Sequence, residues 1–207
     1  MQIQNGMGWE VVGLTTASRG GGWHRDESEH SLVGGDQTTV CFRYSLTEPP
    51  CTASGYLRGK SHSCNTENYS DCCKDGEMYP QYQCSPPVTS STPAQMMIVS
   101  FAINGDGGGP GACNGQYHND TEMAVALSTG WFDGGSRCNR NIRISANGRS
   151  VLAKVVDECS SVDGCKAEQN YTPPCPNNVV NASPAVWDAM GIPELQRGDY
   201  TVTWSDA

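Results

Sequence analysis

Residues 127–159 read L-S-T-G-W-F-D-G-G-S-R-C-N-R-N-I-R-I-S-A-N-G-R-S-V-L-A-K-V-V-D-E-C, and this stretch decides the fold. It begins as a short apolar strand, passes a glycine corner at 134–135, and continues in two β-rich runs at 142–146 and 150–156. Asn147-Gly148 lies between these runs and predicts a tight hairpin, because a type I′ turn needs φ > 0 at both central residues. The second run ends in two carboxylates and a cysteine, at a strand terminus where functional residues are common.

Composition favours a loop-rich β protein of one domain, or of one domain with a small appendage. The chain has 207 residues, 24 of them glycine and 12 proline, and strongly helix-forming stretches are scarce. The net charge of −9 argues against nucleic acid and anionic membranes as partners, since both require a basic surface. The longest apolar run, residues 96–103, is far shorter than the roughly 20 residues of a membrane-spanning helix.

The 11 cysteines indicate a disulfide framework. They lack the closely spaced pairs typical of zinc sites, so neither a metal nor another cofactor is expected. Disulfide bonds persist in oxidising compartments, which predicts a secreted, extracellular protein. Cys72 and Cys73 should bond to different partners, because a bridge between neighbours is strained. Cys159 and Cys165 are predicted to pair because the loop between them is short, and Cys41 is predicted to be the unpaired thiol.

N-glycosylation sequons agree with secretion, although each is a weak signal. The first ten residues, M-Q-I-Q-N-G-M-G-W-E, lack the apolar core of a signal peptide, so the prediction of secretion depends on the cysteines and the sequons. The fourth sequon is the weakest because Pro184 follows its serine. The four sequon asparagines are Asn68, Asn119, Asn170 and Asn181.

The chain divides into three predicted segments. Residues 1–48 contain glycine clusters and no clear periodicity, and they are predicted to be a poorly ordered leader. Residues 49–87 contain five cysteines and too few apolar residues for a core, so a cysteine-rich module held by disulfide bonds is predicted. Residues 88–207 are predicted to form the main β domain. Four leader residues have metal-binding side chains, but a flexible polar segment is the preferred interpretation of His24, Asp26, Glu27 and His30.

The main domain is predicted to be a small closed barrel. Residues 88–93 are interpreted as a linker or edge segment and residues 96–103 as a strand, while apolar and polar residues alternate over 200–204 in a final strand. A short helix is predicted over 183–191, with serine as the N-cap, proline in the first turn and glycine past the end. Several short strands with few helices favour a closed barrel, which has no exposed edge.

Five motifs occur in a consistent order: C-N-T-E-N-Y-S-D-C-C-K-D-G at 64–76, Q-C-S-P-P-V-T-S-S-T-P at 83–93, A-L-S-T-G-W-F at 126–132, A-K-V-V-D-E-C at 153–159 and S-P-A-V-W-D-A at 183–189. Together they resemble kiwellin, the plant ripening-related protein family. The resemblance runs from about Cys51 to the C-terminus, and residues 1–48 lie outside it.

This resemblance implies a six-stranded double-psi β-barrel, related to barwin and to the first domain of expansins. It implies a secreted, apoplastic plant protein that is associated with defence and has no established catalytic activity. Some family members bind and inhibit chorismate mutases secreted by fungal pathogens, so the expected partner is a secreted pathogen protein and the expected state is a monomer. By analogy with expansin barrels, the resemblance also implies a bridge between Cys113 and Cys138.

A glycan-cleaving enzyme is the main enzymatic alternative, because related barrels carry such activity. The chemistry requires two carboxyl groups, one as acid and one as base or nucleophile. Asp157 is the first candidate, since burial at a strand end can raise its pKa, and Glu158, Asp133 and Asp163 are candidate partners. The resemblance places a second acid at Asn181, whose amide cannot exchange a proton. A structural role for Asp157, accepting backbone N–H bonds or capping the following loop, is therefore favoured.

Candidate binding residues surround the glycine corner and the loop before it. Trp131 and Asp133 lie beside the corner, and Trp131 can anchor a sugar or a protein, although a core position is at least as well supported. His118 has no neighbouring nucleophile motif, so a surface or loop histidine is predicted rather than a catalytic triad. A channel lined by Tyr117, His118 and Trp131 would favour sugar binding, whereas a channel filled by residues 104–120 would favour protein binding.

The favoured hypothesis is a rigid, acidic, disulfide-linked barrel that binds another secreted protein without catalysis. Rigidity suits this role because it reduces the entropy lost on association. A cell-wall polysaccharide-binding module of the expansin or barwin type is the first alternative, and a glycan-cleaving enzyme is the second. The binding surface is predicted to comprise Tyr117, His118, Trp131, Asp133, Asp157 and Glu158.

Overall fold

The computed structural model describes residues 50–207 and the backbone of two short strands before them. These strands, β1 (His30–Val33) and β2 (Thr39–Phe42), pair as an antiparallel hairpin. The hairpin belongs to a different compact unit from residues 50–207. The predictions of a poorly ordered leader, of metal ligands within it and of an unpaired thiol at Cys41 fall outside the described residues.

Residues 50–207 contain eight strands, two short α-helices and four 3-10 helices. The strands are β3 (Gly55–Arg58), β4 (Met78–Gln81), β5 (Thr92–Ile98), β6 (Ala124–Ser128), β7 (Asn141–Ala146), β8 (Arg149–Cys159), β9 (Val179–Ala182) and β10 (Tyr200–Asp206). The helices are α1 (Thr129–Phe132) and α2 (Pro184–Met190), and the 3-10 helices are Glu67–Tyr69, Asp133–Gly135, Ala167–Gln169 and Glu194–Gln196.

Six of these strands close into a barrel in the order β10-β5-β9-β6-β8-β7. Two contacts are parallel, β5 with β9 and β6 with β8, and the other four are antiparallel. The predicted mainly β fold, a six-stranded double-psi β-barrel with small helices, is confirmed. In the described part of the chain, no helix is both long enough and apolar enough to cross a membrane.

The hairpin predicted at Asn147-Gly148 is confirmed. Strands β7 and β8 pair with Ala146 opposite Arg149, so only two residues form the connection. Asn147 has a φ of 50° and Gly148 a φ of 69°. Both values lie in the left-handed region that a type I′ turn requires.

The bounds predicted for the strand at 96–103 are wrong. Strand β5 starts at Thr92, inside the segment interpreted as a linker or edge, and it ends at Ile98. Beyond it, the Ser100 N–H donates to Asp106 Oδ1 at 2.8 Å. A side-chain acceptor close to the backbone competes with strand pairing, which explains why β5 stops early.

The barrel interior holds the main hydrophobic core. Trp131, Trp187 and Trp204 are at most 1% exposed, and the rings of Trp131 and Trp204 meet edge to face with centroids 5.1 Å apart. Strand β6 is buried along its whole length because a second, smaller cluster covers its other face. That cluster consists of Val99, Phe101, Ala124, Ala126 and Val156.

Helix α2 starts and ends where the sequence predicts, but the hydroxyl of its N-cap serine bonds to another segment instead of to the helix. Ser183 stands at the N-cap, Pro184 follows it, and Gly191 ends the helix with a φ of 64°. The Ser183 hydroxyl makes no cap hydrogen bond; it donates to Glu122 O at 2.6 Å and accepts from the Ala124 N–H at 3.3 Å. The serine therefore ties the helix to the start of β6.

Five disulfide bonds cross-link residues 50–207. Three involve the stretch 50–87, which we call the cysteine segment and which contains the small antiparallel sheet of β3 and β4. One of those three joins the cysteine segment to a loop of the barrel. The bonds are Cys51–Cys84, Cys64–Cys72, Cys73–Cys165, Cys113–Cys138 and Cys159–Cys175.

Two of the disulfide predictions are confirmed and one is wrong. Cys72 and Cys73 have different partners, and the bridge between Cys113 and Cys138 is present. Cys159 does not pair with Cys165; it pairs with Cys175, while Cys165 pairs with Cys73. The short loop was misleading because the Cys175 N–H donates to Ser160 O at 2.8 Å, which brings Cys175 back to the end of β8.

Candidate functional site

Asp157 lies near the end of β8, where a bulge sets its direction. The register of β6 against β8 shifts between Val125, which is opposite Val155, and Ala126, which is opposite Asp157. Val156 is the extra residue, and an extra residue in one strand re-aims the side chains that follow. Asp157 therefore shares the outer face of Ala126, on the side of the smaller apolar cluster.

Backbone donors occupy one oxygen of the Asp157 carboxylate. Its Oδ1 accepts the Ala112 N–H at 2.8 Å and the Glu158 N–H at 2.8 Å. Burial raises the pKa of Asp157, and the two N–H donors oppose this rise by favouring the charged form. These contacts agree with the structural role that the sequence favours for Asp157.

The loop of residues 101–120 packs over the end of β8. The Cys113 N–H donates to Val156 O at 3.1 Å, and the His118 N–H donates to Phe101 O at 2.9 Å. Gly111 allows this close approach, because a Cβ there would lie 2.7 Å from Val156 O. The disulfide bond of Cys113 holds the middle of the loop covalently.

His118 lies in a loop, which is one of the two predicted settings, but it is only 7% exposed and so does not lie on the surface. Its Nδ1 lies 3.0 Å from Glu122 Oε2, and its Nε2 lies 3.3 Å from Asn114 Nδ2. A neutral ring with its proton on Nδ1 satisfies both contacts, since Nδ1–H then donates to Glu122 and Nε2 accepts from Asn114. The hydrogen bond from His118 lowers the pKa of Glu122. The ring thus secures the end of the 101–120 loop, and its position could not be read from a loop sequence without periodicity.

The carboxylates predicted as catalytic partners are engaged elsewhere. Glu158 Oε1 accepts the hydroxyl of Thr129, and Asp133 Oδ2 accepts the hydroxyl of Ser136 at 2.8 Å. Among the hydrogen bonds of residues 50–207, none joins a second carboxylate to Asp157. Each of these two carboxylates is thus held by a hydroxyl donor of its own.

The other two positions considered for a second acid, Asp163 and Asn181, also have partners of their own. Asp163 forms an ion pair with Lys166 at 3.1 Å. Asn181 donates its amide Nδ2 to Cys159 Sγ at 3.1 Å, so it fixes the disulfide at the end of β8. In the described ranges, no three His, Cys, Asp or Glu side chains are placed to hold a metal ion.

The two aromatic candidates differ sharply in exposure. Trp131 is 1% exposed, belongs to the barrel core, and donates its Nε1–H to Pro86 O at 2.7 Å. Its ring is therefore not available to a ligand. Tyr117 is 42% exposed and lines a solvent-open cleft of about 470 Å³. The other walls of this cleft include Asn65, Asn104, Glu168 and Asn170.

The six predicted binding residues therefore do not form one surface. Tyr117 and His118 belong to the 101–120 loop, and Asp157 lies in the strand that this loop covers. Trp131 lies in α1, Asp133 follows that helix, and Glu158 bonds to Thr129 at its start. Tyr117 and Asp133 are exposed, and His118 and Trp131 are buried. Asp157 and Glu158 are partly buried.

The sequence did not reveal Asp106, a carboxylate that is only 4% exposed. Its Oδ1 accepts from the Ser100 N–H at 2.8 Å and from Asn68 Nδ2 at 3.0 Å, and its Oδ2 accepts from Ser70 Oγ at 2.7 Å. Burial raises the pKa of Asp106, and these three donors oppose the rise. An aspartate among glycines is typical of an exposed turn, so the sequence carried no signal for this buried link.

Comparison with known proteins identifies the family. A family model described as Kiwellin-1 matches residues 29–207. The chain belongs to the kiwellin family. This match also corrects the extent of the resemblance, since it starts at residue 29 and not near Cys51. Part of the segment 1–48 therefore belongs to the region that the kiwellin family shares.

Relatives of this kiwellin-family chain include proteins from three plants. Putative ripening-related protein 4 of Oryza sativa subsp. japonica is 58% identical over 75% of this chain and 74% of its own length. Ripening-related protein grip22 of Vitis vinifera is 47% identical over 81% of this chain and 80% of its own. Kiwellin of Actinidia chinensis var. chinensis is 45% identical over 83% and 82%.

Solved structures that resemble this kiwellin-family chain match it less closely. Streptomyces papain inhibitor has a TM-score of 0.38 and 20% identity, covering 57% of this chain and 96% of its own. The apo expansin of Clavibacter michiganensis has a TM-score of 0.40 and 16% identity, covering 56% and 50%.

Proposed function

We propose that this protein is a secreted, monomeric, non-catalytic binding protein of the plant apoplast that acts in defence by docking on a secreted pathogen protein. A chorismate mutase secreted by a fungal pathogen is the first candidate partner, and inhibition of that enzyme is the expected consequence. The observation that carries the proposal is the bond from the Ala112 N–H to Asp157. It engages the best catalytic candidate in holding the 101–120 loop against the end of β8.

The disulfide framework supports both secretion and docking. Ten cysteines of residues 50–207 are bonded, which fits an oxidising compartment. A cross-linked loop surface loses little conformational entropy on association, so more of its contact energy appears as affinity. This combination suits a protein that must recognise a partner in the extracellular space.

Tyr117 is the predicted binding residue best placed to contact a partner. It is 42% exposed, while its neighbour His118 is buried and holds the loop in place. An exposed aromatic side chain on a fixed loop can enter a partner surface at low entropic cost, and aromatic anchors dominate many interfaces. Ile103, at the other end of the same loop, is 68% exposed. The net charge of −9 favours a partner whose docking face is basic.

Calorimetry with the full-length oxidised chain and a purified chorismate mutase secreted by a plant-pathogenic fungus tests this proposal. We expect stoichiometric binding and reduced mutase activity. Tyr117→Ala should weaken binding about tenfold, whereas Leu152→Ser, which changes an exposed aliphatic residue of β8 outside the loop, should leave it unchanged. Absence of binding would reject the mutase as the partner, and no capture of any protein from the extracellular fluid of infected tissue would reject protein docking altogether.

The same variants separate this proposal from its alternatives. Retention on cell-wall polysaccharide that is lost in Tyr117→Ala would assign the Tyr117 cleft to a glycan. Release of sugars from such polysaccharide that is abolished in Asp157→Asn would show a hydrolase, since the amide cannot act as acid or base. We expect neither result, because Trp131 and His118 are buried and Asp157 Oδ1 already accepts two backbone N–H groups.

A further inference from the structure

The four sequons of the chain differ in what their side chains do in the folded protein. N-linked glycosylation joins a sugar to the amide Nδ2 of the asparagine, and the sequon requires a serine or threonine two residues later. A folded protein can carry the glycan only where that amide is free of other contacts and faces solvent. The environment of each sequon therefore selects among them.

The sequon at Asn68 is bound into the protein by both of its essential side chains. Asn68 Nδ2 donates to Asp106 Oδ1 at 3.0 Å, and Ser70 Oγ donates to Asp106 Oδ2 at 2.7 Å. A sugar on Nδ2 would replace one of its two hydrogens and place a bulky group against a carboxylate that is only 4% exposed, so it would disturb this contact.

The sequon at Asn170 is also engaged. Asn170 Nδ2 donates to Asn65 O at 2.8 Å, and its Oδ1 accepts the Asn65 N–H at 2.8 Å. The hydroxyl of Thr172 donates to Gln169 O at 2.8 Å. This pairing of an amide with a backbone peptide joins the barrel loop to the cysteine segment, and a glycan would break it.

The sequon at Asn181 lies within the barrel. Asn181 belongs to β9, which pairs on both sides, and its Nδ2 donates to Cys159 Sγ at 3.1 Å. Ser183 is fully buried and bonded to Glu122 O. A sugar on this strand would disrupt the barrel wall.

Asn119 stands alone among the four sequons. Its side chain is exposed, and the hydrogen bonds within residues 50–207 include none to the Nδ2 or Oδ1 atoms of its side chain. The backbone around it is a fixed turn, because the Glu122 N–H donates to Asn119 O and the Asn119 N–H donates to Glu122 Oε1, both at 2.9 Å. Asp120 Oδ1 anchors the turn by accepting Ser100 Oγ at 2.8 Å, while Thr121 remains exposed.

We propose that Asn119 is the N-glycosylation site of the folded protein and that the other three sequons stay unmodified. The donor is a lipid diphosphate-linked oligosaccharide. A C–N bond forms between Nδ2 and the anomeric carbon of the sugar, the C–O bond to the diphosphate breaks, the lipid diphosphate leaves, and Nδ2 loses one proton. The inference rests on the proposed secretion. The glycan would lie two residues along the loop from Tyr117, the residue proposed to contact the partner.

The test is expression of the full chain behind a secretory leader in plant leaf cells, followed by mass spectrometry of the purified, oxidised protein. Enzymatic deglycosylation in heavy-oxygen water converts each occupied asparagine to a labelled aspartate. We expect the label at Asn119 alone and one glycan per chain. The leader delivers the chain to the secretory pathway in any case, so this result is separate from detection of the native protein in extracellular fluid, which tests secretion itself.

Matched variants control for folding. Thr121→Ala and Asn119→Gln should each remove the glycan, while Ser70→Ala should leave occupancy of Asn119 unchanged. An unmodified Asn119 in folded, secreted protein would overturn the proposal. A glycan on Asn68, Asn170 or Asn181 in protein that retains all of its disulfide bonds would also overturn it.

Discussion

The barrel and the cysteine segment reach order by different means. The barrel encloses a continuous core of fully buried side chains, including Leu127, Ile144 and Val155. Within the cysteine segment, residues 50–87, Cys73 is the only buried hydrophobic residue. Apolar burial contributes roughly 25 cal/mol per Å², so the cysteine segment lacks the main source of folding energy that the barrel has.

Covalent bonds and contacts with the barrel compensate for this deficit. Cys51–Cys84 and Cys64–Cys72 close loops within the cysteine segment, and Cys73–Cys165 joins it to the barrel. Polar links such as the one from Asn68 to Asp106 add to this attachment. The comparison teaches that substitutions should act through packing in one region and through cross-links and buried polar contacts in the other.

The largest effect should come from a leucine deletion in the barrel. Leu127→Ala removes a fully buried side chain and should lower the free energy of unfolding by about 4 kcal/mol, since the cavity left behind adds to the lost burial. The matched Leu57→Ala changes a half-buried residue of β3 and should cost about 1 kcal/mol or less. Denaturant titration measures both. Equal losses would show that the cysteine segment has a core of its own.

The next largest effect should come from detaching the cysteine segment. Replacing Cys73 and Cys165 together by serine opens a loop of 92 residues, and we expect a loss of about 3 kcal/mol. The value falls below that of an uninterrupted loop because Cys113–Cys138 already cross-links the intervening chain. Hydrogen exchange should rise in the cysteine segment and stay low in the barrel strands. Uniform acceleration in both regions would contradict the division.

A smaller effect is expected at the buried carboxylate that links the two regions. Asp106→Ala leaves the Ser100 N–H, the Asn68 amide and the Ser70 hydroxyl without their acceptor, and it should cost about 2 kcal/mol. Asp106→Asn keeps an acceptor oxygen for the first two donors, so it should cost much less. Thermal unfolding of the two variants gives the comparison, and equal losses would mean that the charge itself is required.

The pH dependence at Asp106 has a defined sign. Because burial raises the pKa of the folded carboxyl above 3.8, the folded state binds the proton more readily than the unfolded state. The burial penalty is fully present above the folded pKa and is relieved as the pH falls toward 3.8. The wild type should therefore gain stability relative to Asp106→Asn over that interval in urea titrations at several pH values. A relative loss on acidification would contradict the assignment.

The smallest effect on stability is expected from Asp157→Asn. The amide oxygen can still accept the Ala112 and Glu158 N–H groups, so the free energy of unfolding should change by less than about 1 kcal/mol. Asp157→Ala removes the acceptor and should cost more. A thermal unfolding series of the two variants checks this order, and a larger loss in the asparagine variant would show that the negative charge is essential.

Much of the barrel could be predicted from local patterns. Asn147-Gly148 specifies its turn through backbone conformation alone, and the alternation over 200–204 marks one buried face of β10. Contacts between distant residues were less accessible. Cys159 pairs with Cys175 and not with Cys165, because the path of the loop after β8, and not the number of residues in it, brings the two sulfur atoms together.

The candidate site was harder to predict because its residues are defined by what covers them. His118 and Trp131 have side chains that suit binding, yet the 101–120 loop and the barrel core enclose them. Asp157 was correctly expected to accept backbone N–H groups, but its donor Ala112 lies 45 residues away. Asp106 carried no signal, since its burial depends on Asn68 and Ser70 in another segment.

Hydrogen exchange at the amides of Ala112 and Cys113 in the full-length oxidised protein tests most directly whether the 101–120 loop stays closed over Asp157. The Ala112 N–H donates to Asp157 and the Cys113 N–H to Val156 O, whereas the Val155 N–H is bonded within the barrel wall to Arg140 O. We predict that all three amides exchange slowly and to a similar degree. Rapid exchange of Ala112 and Cys113 beside a protected Val155 would show that the loop opens and frees the carboxylate, which would contradict a docking protein without catalysis.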